Sequence, residues 1–363
     1  MIERTMEFRP KCMATAVGSM PHQDPARAID VVLASIPDAP IWPQLSARGL
    51  NEQMEIQYSE GMPCRVIDRE KGRMYFDTSG DYSEAFAEFY EAYMAAMDPA
   101  GGTGGVSAMA ISPAHAAGIF ALEERLKTES RKRPYVKCQT TGPCSFALTV
   151  VDENKRALYY NEEFRDVIVK ALAMKCRWQI RRLAPYAERV ICFVDEPILA
   201  GFGSSTYVSV QRDDVVAIEG EVIEAIHADG ALAGIHCCGN TEWSIPIESG
   251  VDIVSFDAFE FGETIALYPA HVRRHLEEGK VLAWGVVPTS AAIREQEVGT
   301  LAAHYERMVE NLVERSGVDR QIVREQTLLT GSCGTGSMRV EDAERVFRLT
   351  AELSLDLRTR YGF

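Results

Sequence analysis

The sequence predicts an α/β protein, and three observations together favour a (β/α)8 TIM barrel with a long insertion between strands 2 and 3. Eight short apolar runs recur along the chain, amphipathic segments separate them, and each run stays apolar through its middle. Strands of parallel sheets have this character because helices cover both faces of the sheet. Eight β-then-α units predict a single barrel domain over residues 1–363, with an open doubly wound sheet as the alternative.

The eight candidate strands are MATAVGS (13–19), APIWPQL (39–45), YVKCQTTG (135–142), RVICFVDE (189–196), ALAGIHCC (231–238), VDIVSFDA (251–258), KVLAWGVV (280–287) and TLLTGSC (327–333). Asp24 before Pro25 predicts the start of a helix, because Asp caps a helix N-terminus and Pro suits the first helical position. A second helix is predicted by an apolar stripe that ends before Gly230 and consists of Val215, Ile218, Val222 and Ile226. A similar stripe predicts a last helix over 339–357.

Residues 46–134 form a connection too long for a simple crossover, and we predict that they are an insertion at the barrel mouth. Within it, PCRVIDREKGRMYFDT (63–78) has two extended runs around a turn, which indicates a hairpin. EAFAEFYEAYMAAM (84–97) predicts an amphipathic helix, and GGTGGVSA (101–108) predicts a flexible loop. We find no linker that would divide the chain into two domains.

Composition and charge narrow the functional classes. The formal net charge of −15 argues against a nucleic-acid or anionic-membrane binder, because such proteins need an excess of Lys and Arg. No apolar run reaches the roughly 18 residues of a membrane span, and the N-terminus does not resemble a signal peptide. The nine cysteines are scattered, so we expect a cytoplasmic protein in which clustered Cys and His bind metal.

GIHCCGNTEW (234–243) is the strongest metal-binding motif. Because strand residues two apart face the same side, His236 and Cys238 can point into the barrel while Cys237 faces the helices. Cys333 ends the last predicted strand, and the strand ends of a barrel converge at one mouth. One His and two Cys suit zinc, with Asp257 as the nearest carboxylate for a fourth position. The alternative is that these are ordinary buried residues, since free Cys behaves as a small hydrophobe.

Two further strand ends are polar. Asp195 and Glu196 follow a wholly apolar run, and buried carboxylates are rare unless they are paired or functional. Gly18 and Ser19 end the first strand, with His22 close by. A helix cap and a turn are the structural alternatives for these two motifs, and a turn is the alternative for TTGP (140–143). We predict catalytic roles for Asp195 and His22, and substrate contacts for the residues Gly18, Ser19, Asp195 and Glu196.

Taken in order, ATAVGSMP, TTGP, VDEP, IHCC and LTGSCG resemble the catalytic barrel of cobalamin-independent methionine synthase. They resemble more broadly the family that joins it to uroporphyrinogen decarboxylase and to zinc-dependent corrinoid methyltransferases. The resemblance implies a zinc site in which the substrate thiol becomes a ligand. It places zinc ligands at His236, Cys238 and Cys333, with Asp257 where methionine synthase has a glutamate. It also implies that Asp195 holds the amino group of homocysteine and that Gly18 and Ser19 meet its carboxylate.

The resemblance therefore implies methyl transfer to a small-molecule thiol, most simply homocysteine. The tryptophan that stacks on folate in the family is absent from CSFALTVVDEN (144–154), which favours methylcobalamin or a corrinoid protein over methyltetrahydrofolate as donor. The 46–134 insertion is the expected docking surface for that partner. Two alternatives stay open: a zinc-free uroporphyrinogen decarboxylase-like enzyme, which would need cationic side chains at its mouth, and a non-catalytic zinc- or thiol-binding protein.

Overall fold

A curled parallel sheet of seven strands forms the centre of the computed structural model, which describes residues 8–97 and 105–363. Its order is β1-β9-β8-β7-β6-β5-β4, and a separate antiparallel hairpin pairs β2 with β3. The strands are β1 Met13–Ala14, β2 Arg65–Asp68, β3 Arg73–Phe76, β4 Arg133–Thr141, β5 Ala187–Asp195, β6 Leu232–Cys237, β7 Ile253–Phe256, β8 Val281–Val287 and β9 Thr327–Gly331. Seven of the eight predicted central strands are therefore present, although the first is shorter than predicted.

The strand predicted over 39–45 does not form a ladder. This segment lies between β4 and the residues that follow β1, and it meets them through isolated bridges, Ile41 to Lys137 on one side and Ser19 to Gln44 on the other. Backbone hydrogen bonds accompany the bridges, from the Lys137 N–H to the Pro40 carbonyl oxygen and from the Met20 N–H to the Gln44 carbonyl oxygen. Pro40 and Pro43 explain the difference, because proline has no N–H to donate to a ladder. The observed architecture is thus a seven-stranded curled sheet with an irregular segment across its opening.

Helices cover the outside of the sheet. They are α1 Pro25–Ser35, α2 Met54–Tyr58, α3 Ser83–Met97, α4 Ala117–Leu126, α5 Pro143–Thr149, α6 Glu162–Leu183, α7 Arg212–Ala228, α8 Ser244–Glu248, α9 Ala258–Phe261, α10 Pro269–Glu277, α11 Val298–Ser316, α12 Arg320–Glu325 and α13 Val340–Tyr361. Asp24 caps α1 as predicted, accepting a hydrogen bond from the Ala26 N–H at 3.0 Å. Within the two described stretches of chain, no helix is long and apolar enough to cross a membrane.

Alternating side chains divide the core into an inner and an outer part. Along β5, Ile191 and Phe193 belong to the cluster inside the sheet, whereas Cys192 and Val194 belong to the larger cluster under the helices. In β6, Cys237 likewise belongs to the outer cluster. This alternation puts its neighbour His236 on the inner face.

The long insertion contains the predicted hairpin, in which Arg65 pairs with Phe76, and the predicted helix is α3. Phe86 of α3 packs against Phe164 of α6 with ring centroids 5.0 Å apart. The predicted Gly-rich loop lies partly outside the described residues, and Gly105–Met109 form a 3-10 helix.

Candidate active site at the carboxyl ends of the strands

His236, Cys238 and Cys333 lie together at the carboxyl ends of β6 and β9. Their ligand atoms, one imidazole nitrogen and two Sγ, are all within 4.8 Å of one another. The sequence separates Cys333 from the other two by a long distance, and the curvature of the sheet brings them to the same place. This is the set of one His and two Cys that suits a zinc ion with one position left for another ligand.

The His236 ring is oriented for coordination. Its Nδ1 lies 3.0 Å from the Ser255 Oγ, and its Nε2 is buried without a hydrogen-bond partner. Metal-binding histidines usually have one ring nitrogen held by a second group in this way. A buried nitrogen without a partner is costly unless something binds to it, so the donor set fits a metal ion.

Cys238 is the more acidic of the two thiols. The Cys333 thiol and then the His236 ring lower the pKa of Cys238 to about 4, while the same thiolate raises the pKa of Cys333. Cys237 differs from both, because burial raises its pKa to about 12 and its Sγ contacts the Gly239 carbonyl oxygen at 3.6 Å. Adjacent cysteines thus have opposite environments, as the strand alternation predicts.

Asp257 follows β7 and caps α9, where its Oδ1 accepts a hydrogen bond from the Glu260 N–H at 2.9 Å. Burial raises its pKa to about 6. The Asp257 carboxylate is not within the group of three ligand atoms, so its predicted role as fourth ligand remains a prediction.

A cavity with an empty volume of about 500 Å³, including space open to solvent, adjoins the three candidate ligands. Its lining residues are Val17, Ser19, Gln44, Met54, Tyr58, Gln139, Asp195, Pro197, His236, Cys238, Cys333 and Gly334. Met54 and Tyr58 come from α2, so the 46–134 insertion supplies part of the cavity wall.

Asp195 ends β5 beside His236, its register partner in β6. The side chain is buried, and its Oδ1 has no hydrogen-bond partner. Burial raises the pKa of Asp195 to about 6, and the Lys137 ammonium acts in the opposite direction. A buried carboxylate oxygen at a cavity wall is suited to bind a cationic or N–H-bearing group.

Ser19 lies against the loop that follows β9. Its carbonyl oxygen accepts a hydrogen bond from the Thr335 N–H at 2.9 Å, and its Oγ accepts one from the Gly336 N–H at 3.2 Å. Gly334 permits this approach, because a Cβ at that position would be 2.1 Å from the Ser19 Oγ. Gly18 similarly makes room for Gln139, whose Cδ would be 2.8 Å from a Cβ.

Four of the predicted site residues do not line this cavity: Gly18, His22, Glu196 and Asp257. His22 is buried against α13, with its Nε2 3.4 Å from the Glu344 Oε1. Glu196 accepts hydrogen bonds from the N–H groups of Cys144 and Ser145, each at 2.8 Å, and from the Ser145 Oγ at 2.6 Å. Glu196 thereby provides hydrogen-bond acceptors for free N–H groups at the N-terminus of α5. We leave His22 and Glu196 out of the proposed site.

The TTGP motif (140–143) is more than a turn, because its Gly142 leaves room for the Glu196 carboxylate to cap α5. A Cβ at Gly142 would lie 2.0 Å from the Glu196 Oε1. Glu219 of α7 approaches the same place, and ligand atoms of Cys144, Glu196 and Glu219 form a second buried group within 4.8 Å. Burial and the neighbouring Glu196 raise the pKa of Glu219 well above its usual value. A neutral Glu219 relieves the repulsion between these two neighbouring carboxyl groups.

The sequence patterns did not single out Lys137 and Gln139, although both are polar residues within the apolar strand YVKCQTTG. Lys137 is fully buried, and its Nζ donates to the Val17 carbonyl oxygen at 2.5 Å and lies 4.2 Å from the Phe193 ring centroid. Burial lowers the pKa of Lys137 to about 8. The lysine in an otherwise apolar strand was the available signal.

No protein-family model matches the chain, and no curated protein sequence matches it. Solved structures do. A methyltransferase from Methanosarcina mazei superposes with a TM-score of 0.55 at 11% identity, over 96% of each chain. A Listeria monocytogenes protein provisionally named as a vitamin-B12-independent methionine synthase gives a TM-score of 0.51 at 12% identity, over 95% of this chain and 97% of the other. At these identities the similarity shows a shared fold over nearly the whole chain.

Proposed function

We propose that this protein is a zinc-dependent enzyme that transfers a methyl group to a small thiol, with homocysteine as the preferred acceptor. The observation that carries the proposal is the convergence of His236, Cys238 and Cys333 on one cavity that Asp195 also lines. The two structural neighbours are named as a methyltransferase and a methionine synthase, which supports the proposal.

The protein's own residues supply binding and orientation. His236, Cys238 and Cys333 would hold the ion, whose contribution when bound is to keep the substrate thiol deprotonated. Asp195 would bind the ammonium group of the acceptor and so direct its sulfur toward the two cysteines. In the transfer, the bond between sulfur and methyl forms while the bond between methyl and donor breaks, leaving its electron pair on the donor.

We infer that the donor is methylcobalamin or a corrinoid protein, with methyltetrahydrofolate as the second candidate. The support is the residue pattern after TTGP, which lacks the family's tryptophan. The insertion that lines the cavity through Met54 and Tyr58 is the proposed docking surface for such a partner. A uroporphyrinogen decarboxylase-like reaction has less support, because no Lys or Arg is found among the described residues that line the cavity.

The test is methyl transfer by the zinc-loaded protein to homocysteine, with methylcobalamin and methyltetrahydrofolate supplied in separate reactions and methionine measured. Asp195→Asn is the informative variant, since it should raise the KM for homocysteine without loss of stability. Removing a buried charge whose pKa is already raised to about 6 relieves a desolvation cost. An unchanged KM would contradict the role of Asp195, and absence of methionine with both donors would contradict the proposed reaction.

A further inference from the structure

Gln139 lines the candidate active site and carries a buried hydrogen-bond acceptor that no protein group uses. It lies in β4, is buried, and lines the same cavity as the two thiols. Its Nε2 donates to the Trp42 carbonyl oxygen at 3.1 Å, which assigns the orientation of the amide. Its Oε1 is left buried without a partner.

The surroundings hold Gln139 in place. Its main-chain carbonyl oxygen accepts hydrogen bonds from the Tyr58 hydroxyl at 2.7 Å and from the Gln179 Nε2 at 3.0 Å, which fixes the backbone. Gly18 packs directly against its side chain, where a Cβ would be 2.8 Å from the Cδ. The Gly18 contact and the Nε2 bond to Trp42 leave the side-chain amide little room to turn its oxygen toward another partner. The unused acceptor therefore belongs to a side chain that is fixed in the cavity wall.

Asp195 supplies a second unused acceptor on the neighbouring strand. Gln139 pairs in register with Phe193, two residues before Asp195, so the two side chains are on the same inner face. Among the described residues that line the cavity none is Lys or Arg, and the Nε2 of Gln44 already donates to the Glu52 carbonyl oxygen. Two unused acceptors on neighbouring strands suit a ligand with several N–H donors in one group, and a primary ammonium is the simplest group of that kind.

We propose that Gln139 is a specificity-determining residue whose Oε1 binds, together with Asp195, the ammonium group of an aminothiol acceptor. This rests on the proposed function, because it assumes that the acceptor's sulfur lies at the two cysteines. It adds a requirement on the acceptor, which must carry an amino group that reaches both acceptors. A thiol without the amino group would leave Gln139 Oε1 and Asp195 Oδ1 buried and unsatisfied.

The test is calorimetric titration of the metal-loaded protein with homocysteine and with 4-mercaptobutanoate, the same thiol acid without its amino group. The variant is Gln139→Met, which keeps the side-chain length and removes the acceptor. Thr140→Val is the matched control. Thr140 is the next residue of β4, is equally buried with an unpartnered hydroxyl, and is absent from the cavity wall.

We expect Gln139→Met to weaken homocysteine binding about tenfold or more, as for a lost hydrogen bond to a charged group, and to leave 4-mercaptobutanoate binding unchanged. Thr140→Val should bind both thiols as the wild type does. Equal losses for both thiols, or no loss for either, would overturn the assignment of Gln139 while leaving the metal-thiol site intact. Failure of the wild type to bind either thiol would instead overturn the proposed function, and this inference with it.

Discussion

Glu196 is the residue for which sequence and structure predict different outcomes of one substitution. As a substrate ligand, Glu196→Ala would weaken acceptor binding and leave folding intact. As the cap of α5, it would leave two buried N–H groups, of Cys144 and Ser145, without their acceptor. Each unsatisfied group costs about 1–3 kcal/mol, so we predict a loss of about 2–6 kcal/mol in the free energy of unfolding. That is a large share of a typical domain's stability.

The assay is urea unfolding at neutral pH, followed by circular dichroism and tryptophan fluorescence. Gly142→Ala tests the same contact from the other side. The backbone at Gly142 is extended, a conformation that alanine also adopts, so the new Cβ acts by colliding with the Glu196 carboxylate. Asp195→Asn is the control, and its midpoint should not fall below that of the wild type. A wild-type midpoint for Glu196→Ala, accompanied by weaker acceptor binding, would refute the capping role and restore Glu196 to the substrate site.

Three further predictions follow from other residues. Lys137→Met should make the free energy of unfolding less dependent on pH in the alkaline range. Burial lowers the pKa of Lys137 in the folded state to about 8 from 10.5, so the unfolded chain binds more protons between these two values. The stability of the wild type should therefore rise from pH 8 to 10.5 relative to that of the variant. Unfolding free energies of both proteins across that range check this, and parallel curves would contradict it. Asp257→Asn should retain the metal, because Asn also caps helices and Asp257 is outside the ligand group; metal content well below that of the wild type would identify Asp257 as a ligand. In metal-free protein at pH 6, iodoacetamide should modify Cys238 and spare Cys237, because the pKa is about 4 for Cys238 and about 12 for Cys237. Peptide mass spectrometry measures the labelling of each cysteine. Equal labelling would contradict the environments assigned to them.

Local patterns in the sequence predicted most of the fold. Apolar runs and helix stripes identified seven central strands and the helices α1, α7 and α13, and turn chemistry identified the hairpin of the insertion. The strand over 39–45 failed because two prolines prevent a ladder, although its composition is as apolar as that of its neighbours. Such a segment is distinguished from a strand only when its backbone N–H donors are counted.

The site was predictable where strand alternation decides orientation, as for His236 against Cys237. Alternation also sends the consecutive carboxylates Asp195 and Glu196 to opposite faces, but only the packed structure shows that Glu196 meets the N-terminus of α5. His22 was chosen for its proximity in sequence, and it lies against α13 rather than in the cavity. Gln139 was passed over because an amide in a strand is unremarkable until its oxygen is seen to lack a partner.

The measurement that tests the central claim most directly is metal content by elemental analysis of metal-replete protein, for the wild type, Cys238→Ser and Cys237→Ser. The two substitutions make the same chemical change at neighbouring positions on opposite faces of β6. We predict about one zinc per chain in the wild type and in Cys237→Ser, because two thiolates and one imidazole make a zinc site, and little in Cys238→Ser. No zinc in the wild type, or equal zinc in both variants, would contradict the account.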